Sequence, residues 1–164
     1  MPITAEQYWQ FSEHVWQQEG ARQTALELQD THGLEPNLLL LALLLEQQGQ
    51  FLDQSQFRAL KEAQASWCEK MLTPYRQLRR LAKDNLPEAS YRQMLEVELV
   101  MEKRSQQLIL KALALMTIQP EGDNLTACLK AQNIDPLALP GPMLTQLTHL
   151  FQSSEPDLPI TLAG

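Results

Sequence analysis

Arg76, Arg79, Arg80 and Lys83 stand at i, i+3, i+4 and i+7, a spacing that lines four cations along one side of a helix. Tyr75, Leu78 and Ala82 fall well round on the other side. Such a stripe has two uses. It faces water or the chain's own carboxylates, where an exposed ion pair contributes about 0–1 kcal/mol. Alternatively it docks an acidic partner or a phosphate-bearing ligand, because guanidinium forks match planar anions. The aromatics do not interleave with these cations as a base-stacking platform for RNA requires.

Glu98, Glu102 and Ser105 form a second group. They fall inside the apolar face traced by Tyr91, Met94, Leu95, Met101, Leu108, Ile109, Ala112, Leu113 and Met116. A carboxylate taken out of water is costly unless it is paired. Three arrangements would satisfy the two acids: ion pairs with cations of a preceding antiparallel arm (Lys70, Arg76 or Arg79), a solvent-edge site, or a metal or polar-ligand site. Glutamates one turn apart do line carboxylate-bridged metal bundles. The accompanying Glu-x-x-His ligand motif is missing, since Met101 and Ser105 stand three residues after Glu98 and Glu102. No metal ligand is therefore assigned.

Gln29, Asp30, His32 and Asn37 make a compact polar cluster around one turn, expected to cap backbone rather than to carry acid/base chemistry. His32 near a helix C-terminus gains from the dipole when protonated. His14 lies beside an aromatic helix face and His149 in a late amphipathic segment. Ser12, Ser66, Cys68 and Cys128 have no local nucleophile signature, and there is no Gly-rich phosphate loop. No catalytic residue and no cofactor is assigned.

The elements that must position these groups read as helices throughout. Leu, Ala, Gln and Glu dominate, and no stretch alternates apolar and polar residues as a strand would. Thr4 with Gln7 resembles a capping box opening a helix with a broad aromatic face (Tyr8, Trp9, Phe11, Val15, Trp16), ended by Gly20. A second helix is expected from Ala21 to His32, with Gly33 suited to a left-handed C-terminal position. Glu35 before Pro36 favours extended backbone, and Pro36 suits a first helical turn. The next helix carries eight apolar residues in a row, Leu38 to Leu45, so its neighbours must wrap it. Asp53 caps a fourth helix whose Phe57, Leu60, Trp67 and Met71 share a stripe, with a restart or kink at Thr73–Pro74 and an end near Lys83. The turn at residues 84–87 reverses the chain into the longest helix, about Glu88 to Ile118, which makes a helical hairpin. Two shorter helices are expected near Asn124 to Asn133 and Pro142 to Gln152, then a mobile tail over residues 153–164.

The sum is an all-α, single-domain bundle of about five to seven helices over residues 1–152, with a central apolar helix and a long hairpin helix. A chain of 164 residues is large enough to hold one core without staples. Its two distant cysteines suggest free thiols and a cytoplasmic, reducing setting. The start lacks a secretion signal, and the apolar run is far short of the roughly 20 residues a membrane span needs. The net charge of −7 is unevenly spread: eleven of thirteen cations lie in residues 54–119, between acidic flanks. The acidic total argues against non-specific nucleic-acid binding.

The residues Tyr8 to Ser12, the stretch LELQDTHGLEPNLLLLALLLEQQG over Leu26 to Gly49, Trp67, Pro74 and LRRLAK over Leu78 to Lys83 resemble a family of small bacterial conserved hypothetical proteins. That family is all-helical and defined as a domain of unknown function. The resemblance covers about residues 8–113; it implies a fold and a bacterial cytoplasmic setting and supplies no activity, cofactor or site residue. The expectation carried forward is a non-enzymatic adaptor or regulatory protein-binding module, its partner another protein held by the Arg76/Arg79/Arg80/Lys83 face or the late helix. The homo-oligomer is a compatible state. The alternative is a small-molecule carrier or sensor with a pocket between the aromatic first helix and the long helix, anchored by Glu98 and Glu102. A carboxylate metal or enzyme site comes third.

Overall fold

Every residue from Pro36 to Leu45 is buried in the computed structural model, which describes residues 2–18 and 20–153. These residues belong to α3 (Pro36–Gln47). Around it pack α1 (Ala5–Trp16), α2 (Ala21–His32), α4 (Gln54–Trp67), α6 (Glu88–Leu113), α7 (Asn124–Ala131) and α8 (Gly141–Ser153). An all-round apolar helix has no face for water, and six neighbours remove the need for one. One core cluster joins α3 to Tyr8, Phe57, Leu60, Ile109 and Cys128; a second joins Leu39 to Leu28, Leu34, Leu129 and Leu147.

The fold is all-α, as the composition implies. The described residues contain no strand, only an isolated antiparallel bridge between Phe51 and Gln119. The long helix α6 stops at Leu113 and not near Ile118, where the Leu115 and Met116 amides turn back three residues to the Ala112 and Leu113 carbonyls. The Gln119 amide leaves the helical path and donates to the Phe51 carbonyl at 2.8 Å. No helix among the described residues is long and apolar enough to cross a membrane. Beyond Ser153, which closes α8, the tail expected over residues 153–164 lies outside the described residues.

Two junctions set up the site. At the first, Gly33 takes a left-handed φ of 72° and ends α2, with its amide bonded to the Gln29 carbonyl and the Leu34 amide to the Leu28 carbonyl. Buried Leu28 and Leu34 pack in the same cluster, which fixes the turn, and extended Glu35 then leads into Pro36.

At the second, α4 continues through a π-helical turn, Cys68–Leu72, into α5 (Thr73–Asn85) as one rod, making seven rods among the described residues. Pro74 has no N–H for the Lys70 carbonyl and its ring crowds that oxygen. The wider turn, closed by the Thr73 amide on the Cys68 carbonyl, accommodates the proline. The extra residue also rotates the buried stripe. Leu72 is buried where Met71 was expected, and Met71 is 41% exposed. Arg76, one turn beyond Leu72, follows the stripe inward.

Candidate functional site

On α5 Arg76 and Arg79, not the leucines, take the inward positions. Arg76 is buried, at 6% exposure, while Leu78 and Leu81 project outward at 56% and 66%. The antiparallel arm α6 brings its acids to meet the arginines, with the arms tied by Tyr75 Oη donating to the Met94 carbonyl at 2.8 Å and Trp67 Nε1 to the Met101 carbonyl at 3.1 Å.

Arg76 occupies the centre. Its Nη2 donates to Glu102 Oε1 at 2.6 Å and Glu35 Oε1 at 3.2 Å, and its Nη1 to Glu35 Oε2 at 3.3 Å. With the Gln29 amide turned so that its oxygen faces the guanidinium, Gln29 accepts from Nη1 at 2.9 Å and from Nε at 3.2 Å. A guanidinium has five N–H groups, and this set engages all of them inside the chain. One cation thus serves two carboxylates. Arg79 holds Glu98 in a two-point pair, Nε to Oε1 at 2.8 Å and Nη2 to Oε2 at 3.3 Å. Arg80 reaches Asp30 at 2.7 Å on the exposed rim, and Lys83 is exposed on the same rim. Of the three cations nearest by register to the two glutamates, Arg76 and Arg79 make the pairs, and Lys70 lies exposed on the π turn.

The polar groups of α1, α3 and α6 continue the network. Asn37 Nδ2 donates to Glu102 Oε2 at 3.3 Å, and Gln106 Nε2 donates to Asn37 Oδ1 at 3.1 Å and to Ser12 Oγ at 2.9 Å. Ser12 Oγ donates to the Tyr8 carbonyl, and Tyr8 Oη to the Asn37 carbonyl. Gln29, Asp30 and Asn37 therefore turn to side chains of α5 and α6, not to the backbone of the turn as their sequence positions implied. His32 sits apart in the last turn of α2. Ser105 Oγ donates to Gln64 Oε1 and lies 3.9 Å from Cys68 Sγ, behind the arginine cluster.

Burial pushes the Glu102 carboxyl up to about 7, with Glu35 adding to the rise and Arg76 opposing it. Burial likewise pushes Cys68 and Cys128 up to about 12, so these free thiols stay protonated and are poor nucleophiles at neutral pH. Among the described residues no group of three or more His, Cys, Asp or Glu side chains could hold a metal ion.

Above the network opens a cleft of about 650 Å³ between α1, α2, α5 and α6. Buried Ser12, Ala25, Asn37, Arg76 and Gln106 form its floor. Trp9, Trp16, Tyr91 and Leu95 line the half-buried walls, with Glu98 and Glu102 among them. Asp30, Arg80, Lys83 and Leu99 stand at the rim. Lys103 Nζ lies over the Trp9 ring, 4.9 Å from its centre. Glu35, Ser12 and Gln106 were not singled out as site residues by sequence reasoning. Glu35 was legible only as the residue before a proline, although it is one of four acids within reach of one cationic helix face.

A model of the family described as a protein of unknown function, DUF2390, matches residues 7–109. The chain belongs to this family. The matched DUF2390 region spans α1 to most of α6 and contains every residue lining the cleft, while α7 and α8 lie beyond it. No curated protein and no solved structure matches the chain.

Proposed function

We propose that this DUF2390 protein is a non-catalytic binding module that holds a small molecule in the cleft between α1, α2, α5 and α6. The supporting observation is a concave site of about 650 Å³, within the range of ligand pockets, with aromatic walls and a hydrogen-bonded polar floor. Arg76, Arg79 and Arg80 each meet a carboxylate of their own chain, which favours the cleft over a cationic docking stripe. The late helix α8 packs on α2 and α3, so it too is engaged within the fold. The raised values of Cys68 and Cys128, which keep both thiols protonated, support a binding role over thiol catalysis. Native mass spectrometry of protein purified gently from its own cells is the test. A stoichiometric adduct of small mass, lost in Trp16→Ala, is the expected result; a bare chain in both would overturn the reading.

A protein-docking role keeps one specific observation in its favour. Leu78, Leu81, Val97 and Val100 are exposed large apolar residues on the two hairpin arms. Co-purification of one stoichiometric protein, lost in Leu81→Lys with Val100→Lys, would support that second reading.

A further inference from the structure

We propose that the cleft selects a ligand with an ammonium head on an apolar or aryl body, the head seated against Gln106 Oε1 and the Glu102 carboxylate. This assignment rests on the cleft reading and adds the chemistry of the occupant. The decisive feature is an imbalance of donors and acceptors at the floor. The five N–H groups of Arg76 are engaged by Gln29, Glu35 and Glu102. Both N–H groups of the Gln106 amide go to Ser12 and Asn37, and the Ser12 hydroxyl goes to the Tyr8 carbonyl. On the acceptor side, Gln106 is only 2% exposed and its Oε1 has no partner. A buried acceptor without a donor is costly, so a ligand that supplies one gains affinity there.

Charge points the same way. Two carboxylates, Glu35 and Glu102, share the single guanidinium of Arg76, leaving the ionised cluster with one surplus negative charge. Glu98 adds nothing to this imbalance because Arg79 neutralises it, and Asp30 is matched by Arg80. A carboxylate or phosphate head would meet a surplus anion and a floor whose arginine donors are spent. An ammonium would find an acceptor, a negative charge and, for its aryl body, the rings of Trp9, Trp16 and Tyr91 on the walls. The cationic rim of Arg80 and Lys83 lies outside this floor, so it flanks the mouth and does not replace the acceptors within.

The test uses the full chain and three probes of one shape: phenethylamine, phenethyl alcohol and hydrocinnamate, titrated calorimetrically at neutral pH. Phenethylamine is expected to bind at least about tenfold more tightly than hydrocinnamate, with the alcohol between them. Glu102→Gln keeps the size of the side chain and removes the charge, giving up one of the two acceptors that meet Arg76 and Asn37. It is expected to weaken phenethylamine by about tenfold while leaving the alcohol within about twofold. Gln106→Leu is expected to weaken amine and alcohol together, with circular dichroism confirming that the variant is folded. Hydrocinnamate binding as tightly as the amine, or an amine affinity indifferent to Glu102→Gln, overturns the ammonium assignment while leaving the cleft as a binding site. Failure of all three probes at millimolar concentration overturns the assignment as well. Native mass spectrometry then decides separately whether the cleft carries any ligand.

Discussion

Replacing Arg76 with methionine takes five donors from between Glu35, Glu102 and Gln29 and leaves two buried carboxylates facing each other. The expected loss is about 3–5 kcal/mol in urea unfolding, most of it recovered when Glu35→Gln and Glu102→Gln are added, because a stranded charge costs more than a missing ion pair. No recovery in the triple variant would contradict this. Glu102 also links stability to pH. The groups facing it are Arg76 from α5, Glu35 and Asn37 from the start of α3, and Glu98 on its own helix. Its folded value of about 7 lies above the ordinary carboxylate value of 4.5, so the folded state keeps a proton that the unfolded state releases. Its stabilising effect is full below the unfolded value and is lost as pH rises through about 7. Wild type should lose an amount of order 3 kcal/mol relative to Glu102→Gln between about pH 5 and pH 8. Parallel pH curves for the two proteins would refute the assignment. The sequence made Glu98 and Glu102 conspicuous because they interrupt an apolar face. Glu35 carried no such mark, since its partner lies on another element and reaches it only through the corner after Gly33.

At the scale of elements, α5 has its polarity partly reversed relative to a surface helix, with Arg76 and Arg79 inward and Leu78 and Leu81 outward. Its docking therefore depends on charge pairing with α6 and less on apolar burial. A double-mutant cycle on Arg79 and Glu98, each changed to leucine, should give a coupling of about 1–3 kcal/mol, whereas Arg80 and Asp30 on the rim should couple by less than about 1 kcal/mol. Equal couplings would mean that burial does not distinguish the pairs. Changing Leu81 to lysine should alter stability by no more than about 0.5 kcal/mol, while Leu43→Ala in α3 should cost about 2–5 kcal/mol. The hairpin and its turn were legible from residues 84–87, and Pro74 announced a disturbance. The form of that disturbance was not. A helical period carried straight through places Met71 inward, and only the extra residue of the π turn moves Leu72 and Arg76 into its place.

The molecule is organised around α3, whose apolar run was the plainest statement in the sequence and whose ten-residue burial needs neighbours from both ends of the chain. Hydrogen exchange should follow that hierarchy. Amides of α3 are expected to open only with global unfolding, and those of α5 and the first half of α6, where Arg76 and Ala82 are the buried residues, well before it. The cleft was not legible in the same way, because it is made where four separate helices meet and its floor is a network of contacts with partners up to 94 residues apart. Its role as the seat of an ammonium ligand is tested most directly by the indole N–H signals of the three tryptophans during a phenethylamine titration. Trp9 and Trp16 line the cleft, whereas Trp67 is held against the Met101 carbonyl elsewhere. The expected result is saturable movement of the Trp9 and Trp16 signals with Trp67 unmoved; three stationary signals, or three that drift together without saturation, would contradict it.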